Sequence, residues 1–229
     1  MSESPSTPYQ TFHGQSREDE IAWQLFKDSP SPGYFVEVGA YDGLTLSNTY
    51  AFERRGWRGM CFEPHPNFHR QLVANRPGST CLRAAVGNRL ELSTPFYSTP
   101  NAIFSSTHPD DIQALKAIYV DEREQFEQIS EIRVPLITLD YALAIHAVER
   151  VDYLSVDVEG REMDVLSGFD ITRWQPRLVI VENNNLWDEL MEYFSAAGYQ
   201  LARVVYQNMF FVRGDEDAGI VRGYRVEQG

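Results

Sequence analysis

Cysteine is scarce in this chain. Cys61 and Cys81 are the only two among 229 residues. Each sits in an apolar stretch that reads as a buried strand, which favours packed, reduced thiols over a disulfide. No spacing suggests a zinc site. Positive charge is also short: 20 Lys and Arg stand against 33 Asp and Glu, a formal net charge of −13. A field of that sign repels phosphate backbones and anionic membranes, so neither nucleic acid nor a membrane is an expected partner. A neutral sugar, a small alcohol or a cation-assisted site stays open. No uncharged apolar run approaches the roughly 18 residues that span a bilayer. The opening "MSESPSTPYQ" lacks the basic and apolar regions of a secretory signal. A cytoplasmic location and no membrane insertion are the expectation.

What is present is ordinary for a soluble globular protein, 43% hydrophobic and 23% charged, at a length that suits one large domain. Residues 1–16 read as a flexible N-terminal arm. "REDEIAWQLFKD" (17–28) is an amphipathic helix, stopped by Pro30, Pro32 and Gly33. An alternation follows: strand "YFVEVG", helix "LSNTYAFERRG", strand "RGMCFEP", helix "NFHRQLVAN", strand "STCLRAAVG". Such a rhythm predicts a parallel sheet with helices on both faces. It breaks at "RLELSTPFYST", an extra strand. Residues of about 97–130 then form an insertion with a loop and a helical segment. "IRVPLITLD" restores a strand and "ALAIHAV" a short helix. "VDYLSVDVEG" and "RLVIVENN" are buried strands, each followed by a helix, and "YQLARVVYQNMFFVRG" is an antiparallel pair. The single domain runs over 17–213, and 214–229 is a polar C-terminal tail. The fold class is α/β.

Ligands of an open α/β sheet bind outside the carboxyl ends of the strands, and strand one normally flanks that place. The first loop reads Gly39-Ala40-Tyr41-Asp42-Gly43. It is not G-x-G-x-x-G, so the pyrophosphate fingerprint of an NAD enzyme is absent. No Gly-Lys-Ser/Thr of a P-loop follows. Glu37 and Asp42 flank and enter the loop, and Glu63 closes strand two, 20 residues after Gly43. Carboxylates repel phosphate and suit an ammonium and ribose hydroxyls. Three acids without a phosphate cradle favour a cationic nucleoside, and S-adenosylmethionine has that chemistry. The alternative is a strand-end acid and a turn residue without a ligand.

Further on, Asp157 and Glu159 lie two apart in an extended chain and point the same way. Glu182, Asn183 and Asn184 end the next sheet strand, so the three acids should meet at one sheet edge. Crowded acids need a cation or a proton. One answer is Mg²⁺ held by Asp157 and Glu182 with Asn183 as a neutral ligand. The other is a carboxylate of raised pKa acting as general base. Glu159 is also a candidate cap for the helix near Arg161. His108 and His65 are candidate bases; His146 is expected in the core, and His13 and His69 on the surface. The insertion, with Tyr97, Phe104, Tyr119, Phe126 and Ser105–Thr107, reads as a lid over the acceptor or as the arm of a homodimer.

"VEVGAYDG", "SNTY", "AAVG", "VDYLSVDVEGREMDVLSGF" and "VIVENN" together resemble the FkbM family of S-adenosylmethionine-dependent methyltransferases, over roughly residues 33–212. The resemblance implies a class I methyltransferase fold: a Rossmann-like, seven-stranded, mostly parallel sheet with an antiparallel last strand. It implies methyl transfer to oxygen on a sugar, glycan or natural-product scaffold. By position, Glu37, Gly39, Ala40, Asp42 and Gly43 would form the first cofactor motif. Glu63 would bind ribose beside Pro64. Ala84, Ala85 and Val86 would meet adenine, and Ser47, Asn48 and Thr49 the methionine end. Asp157 would border the methyl group, with Asp157, Glu159, Glu182 and His108 as catalytic candidates. Two rivals remain: a binding module without turnover, and N-methylation, which needs neither metal nor strong base.

Overall fold

The computed structural model describes residues 11–101 and 104–226. In chain order its elements are α1 (Glu18–Phe26), β1 (Tyr34–Val38), α2 (Tyr50–Glu53), β2 (Arg58–Phe62), α3 (Pro66–Asn75), β3 (Thr80–Leu82), β4 (Ala85–Val86), β5 (Glu91–Ser98), β6 (Ser105–Ser106), α4 (Pro109–Ile118), a 3₁₀ helix (Val120–Glu127), β7 (Ser130–Ile137), α5 (Leu139–Ile145), β8 (Tyr153–Val156), α6 (Glu162–Ser167), α7 (Ile171–Trp174), β9 (Leu178–Glu182), α8 (Trp187–Ala196), β10 (Gln200–Val205), β11 (Asn208–Val212) and α9 (Asp215–Gly223).

The main sheet has seven strands in the order β10-β11-β9-β8-β1-β2-β3. All neighbours run parallel except β11, which is antiparallel to both β9 and β10. This is the class I methyltransferase sheet. The continuous apolar runs of its central strands follow from burial on both faces. In β9, Val179 and Val181 face one core with α5, α6, α7 and α8, while Leu178 and Ile180 face the other with α1, α2 and α9. The same alternation in β1 sends Phe35 to the second side and Val36 and Val38 to the first.

The elements differ from expectation in four places. "STCLRAAVG" is not one strand. Its halves enter different sheets, β3 at the edge of the main sheet and β4 in a smaller one of order β4-β7-β5-β6. Buried Ala84 stands at the break. The expected helix "LSNTYAFERRG" is one turn, because Ser47–Thr49 are tied to Glu37 instead of winding. The expected polar tail contains α9, which packs Ala218 and Val221 against α1 and the sheet. Four acidic or basic residues in its nine hid that narrow apolar stripe. Of the expected flexible arm, residues 1–10 lie outside the described residues. Gly14 bridges to Leu46 and His13 stands edge-on to Tyr50, so this end of the arm is docked. Cys61 and Cys81 are free thiols, paired in register across β2 and β3. Among the described residues no helix is long and apolar enough to cross a membrane.

The insertion has a small core of its own, Phe104, Ile112, Leu115 and Phe126, with Tyr97 and Tyr119 packed on it. The expected helical segment there is α4 and the 3₁₀ turn.

Candidate active site

Gly39 ends β1 at φ +84°, and a Cβ there would lie 1.8 Å from the carbonyl oxygen of Asp157. The close neighbour that demands glycine is the end of β8. The backbone N–H groups of Gly39 and Ala40 both donate to the Phe62 carbonyl, at 3.2 and 2.9 Å. Asp42 turns back on its own loop. Its Oδ1 accepts from the N–H of Leu44 and of Thr45, at 2.9 and 2.7 Å, and its Oδ2 from the Thr45 hydroxyl. This Asx turn shapes the loop. A cavity of about 200 Å³ opens beyond it, several times the roughly 30 Å³ share of one water. Gly39, Ala40 and Tyr41 line it; Asp42 and Gly43 do not.

Glu37 borders the cavity, but its oxygens are already engaged. They accept from the Ser47 hydroxyl (2.9 Å), the Asn48 N–H (3.0 Å), the Thr49 hydroxyl (2.8 Å) and Arg76 (3.0 Å). Ser47 and Thr49 are therefore committed to Glu37. Asn48 differs. Its amide nitrogen donates to the Ser155 hydroxyl, while its buried Oδ1 has no partner, and the residue stands on the cavity wall. Glu63 follows β2 with one oxygen on the Tyr41 N–H (3.1 Å) and the other on the His65 N–H (2.7 Å). Burial pushes its carboxyl up to about 8, against the pull of those two amides. Pro64 and, across the cavity, Ala84, Ala85 and Val86 complete this end.

At the other end Asp157, Glu159 and Glu182 each offer a carboxylate oxygen, all within 4.8 Å of one another. The expected reason was strand alternation. The actual one is a turn, since β8 stops at Val156 and Glu159 has φ 58°. Asp157 is open to the cavity yet lies deep within the protein. Burial first, then Glu182 and Glu159, drives its carboxyl well above the usual range. Burial, then Glu182 and Glu162, does the same to Glu159, whose Oε2 is buried without a partner.

Sequence reasoning missed Glu162. Fully buried, it accepts from the N–H groups of Val158 (3.2 Å) and Gly160 (3.1 Å), so it ties the turn ahead of α6, which is not the helix cap considered for Glu159. Burial holds its carboxyl up at about 6. The available signal was an acid at the first position of a helix after a strand. Asn183, expected beside the metal, turns its oxygen to the Leu186 N–H (2.8 Å). Asn184 is the amide at the cluster, donating to Glu182 (2.6 Å) and Glu162 (3.1 Å).

The histidines stand apart from the acids. His108 caps α4, accepting from the Asp110 N–H, and lines a smaller polar pocket with Arg161 and Asp164 instead of the main cavity. His65 caps α3 in the same way. His146 is exposed at the end of α5, not packed in the core. Phe96 of β5 and, from the insertion, Ser105–Thr107 reach the cavity wall. Arg161 lines the same wall and grips Asp111 of α4 through two bonds, 2.6 and 2.9 Å.

Comparison with curated proteins gave no significant sequence match. Solved structures similar to this chain include the ribosomal protein L11 methylase from Lactobacillus delbrueckii subsp. bulgaricus, at 8% identity over 86% of this chain and 77% of that chain (TM-score 0.44). A putative RNA methyltransferase from Pyrococcus horikoshii aligns at 8% identity over 86% and 81% (TM-score 0.45). Aeropyrum pernix fibrillarin, solved with natively bound S-adenosyl-L-methionine, aligns at 14% identity over 84% and 73% (TM-score 0.42). The family model described as the methyltransferase FkbM domain matches residues 37–201, from the acid before the first glycine to the start of β10, acid cluster included. With that match and this sheet, the chain belongs to the FkbM family of S-adenosylmethionine-dependent methyltransferases.

Proposed function

We propose that this protein transfers the methyl group of S-adenosylmethionine to a hydroxyl of a sugar, glycan or natural-product acceptor, with a Mg²⁺ ion at the acid cluster. The observation that carries the reading is the buried, unpartnered Glu159 Oε2 beside Asp157 and Glu182, on the wall of a cavity whose far end is Glu63. N-methylation needs no such cluster; deprotonating an alcohol does.

The residues fit the cofactor. Asn48 Oδ1 is a free acceptor suited to an ammonium donor, and Glu63 offers two carboxylate oxygens to a ribose diol. Bound there, S-adenosylmethionine supplies an electrophilic methyl group on sulfur. The acids fit a hard divalent cation, which Asp157, Glu159 and Glu182 would hold. Such an ion lowers the pKa of an alcohol bound to it. The chain's own part is to position the donor, the acceptor and the carboxylates that would hold the ion. The Gly39–Tyr41 backbone and Glu63 fix the donor end. Thr107 would offer a hydroxyl and Phe96 an aromatic face to a polyhydroxylated acceptor, while the Ser105 and Ser106 hydroxyls are engaged with Ser98 and Asp111. With Glu159 among the residues that would hold the ion, the proton lost by the acceptor hydroxyl would pass to water. Most of the acceleration comes from alignment in a closed site.

Two measurements test this. Calorimetric titration of S-adenosylmethionine is expected to show saturable binding, weakened about tenfold or more in Glu63→Ala. Mg²⁺ at pH 7.5 is expected to raise the Tm of the wild type by roughly 3 °C, but not that of Glu159→Gln. Unchanged affinity in Glu63→Ala would remove the ribose role, and a Mg²⁺ effect of equal size in Glu159→Gln would remove the metal.

A further inference from the structure

Arg76 is 1% exposed and follows α3, outside every motif singled out in the sequence. Its guanidinium donates in two directions. Nε bonds Glu53 at 2.9 Å. The other two nitrogens reach the cofactor loop. Nη1 meets Glu37 Oε2 (3.0 Å), the Gly43 carbonyl (3.3 Å) and the Ser47 hydroxyl (3.3 Å), and Nη2 meets the Thr49 hydroxyl (2.8 Å). The loop also lies directly on its stem: a Cβ on Gly43 would sit 2.7 Å from Arg76 Cγ. Residues 43–49 thus close around one buried cation, and the stretch between them carries Asn48 into the cavity wall.

We infer that Arg76 is a positioning residue for cofactor binding. It touches no ligand. It fixes the loop that presents Asn48 Oδ1 and the Ala40–Tyr41 backbone to the methionine end. The inference rests on the cofactor reading above. A planar fork is required, because five donors at fixed angles meet acceptors on both sides, which a lysine ammonium with three donors on a flexible stem does not match. The two arms separate the roles: the Glu37–Thr49 arm belongs to the loop, and the Glu53 arm ties α2 to the turn at Gly78–Ser79.

The test is calorimetric titration of S-adenosylmethionine, with Tm recorded in parallel, for wild type, Arg76→Lys, Thr49→Val and Glu53→Gln. Arg76→Lys and Thr49→Val are expected to weaken binding about tenfold while still folded at the titration temperature. Glu53→Gln is expected to lower Tm with the dissociation constant within about twofold of wild type. Thr49→Val is nearly isosteric and answers the question if Arg76→Lys does not fold. Wild-type affinity in Thr49→Val and in folded Arg76→Lys would overturn the inference and leave the cofactor reading standing. Equal weakening in Glu53→Gln would overturn it too, as the mark of general destabilisation. A wild type that binds no S-adenosylmethionine would overturn both.

Discussion

Glu63 keeps its proton near neutrality because burial outweighs the two amides that point at it. On the proposed reading a ribose diol would add donors that favour the charged form, so nucleoside binding and proton release would be coupled. The charged or titrating neighbours are Tyr41, itself held protonated by burial, and His65, held neutral by burial. Neither gains charge as pH rises toward 8. Adenosine is the clean probe, since it lacks the titrating amino group of the full cofactor. Its affinity is expected to rise about tenfold from pH 7 to 9, with a proton released per site in calorimetry across buffers of different ionisation enthalpy. Glu63→Gln should abolish both effects. A flat pH profile in the wild type would show that the acid is already ionised in the free protein.

The insertion is an element with its own core, pinned to the cavity by the Arg161–Asp111 pair. Asp111→Asn leaves that core intact and weakens the pin. Limited proteolysis is therefore expected to cut within residues 99–130 several-fold faster in Asp111→Asn, with little change in Tm. Equal cutting rates would mean that other contacts hold the insertion closed. Such pairing was invisible in the sequence, where Asp111 and Arg161 stand 50 positions apart. The parallel strands were legible because burial on both faces leaves continuous apolar runs, as in "RLVIVE". The split of "STCLRAAVG" was not, since both halves are apolar and only the sheet each joins distinguishes them. Of the residues that line the cavity, Gly39, Glu63 and Asp157 stand at strand ends that the sequence marks. Glu162 carried only the weak signal of an acid at a helix start, and Arg76 none, because its role is defined by partners that only the fold supplies.

The molecule as a whole carries several acids that the fold forces toward their neutral forms: Asp19 at about 6, Glu162 at about 6, Glu63 at about 8, and Asp157 and Glu159 higher still in direction. The sign follows from proton counting. The folded chain holds these protons between about pH 4.5 and 8, where the unfolded chain has released them, so stability declines as pH rises through that window. His13 and His65, lowered by burial, act oppositely but are fewer. Without ligands the Tm is expected to fall by roughly 5 °C or more between pH 5.5 and 8, in scanning calorimetry at fixed ionic strength. A Tm that rises over that range would show these carboxyls ionised in the fold. The strand order has a consequence for synthesis. β11 is the last strand in sequence among the described residues, yet it lies inside the sheet, between β9 and β10. A nascent chain that has emerged only as far as β10 presents the open edge of β9, whose Leu178–Val181 are fully buried once complete. β10 meanwhile has no strand to join. The ribosome must therefore release the segment Asn208–Val212 before the sheet can close, and until then the half-made enzyme is the form that chaperones must shield from aggregation.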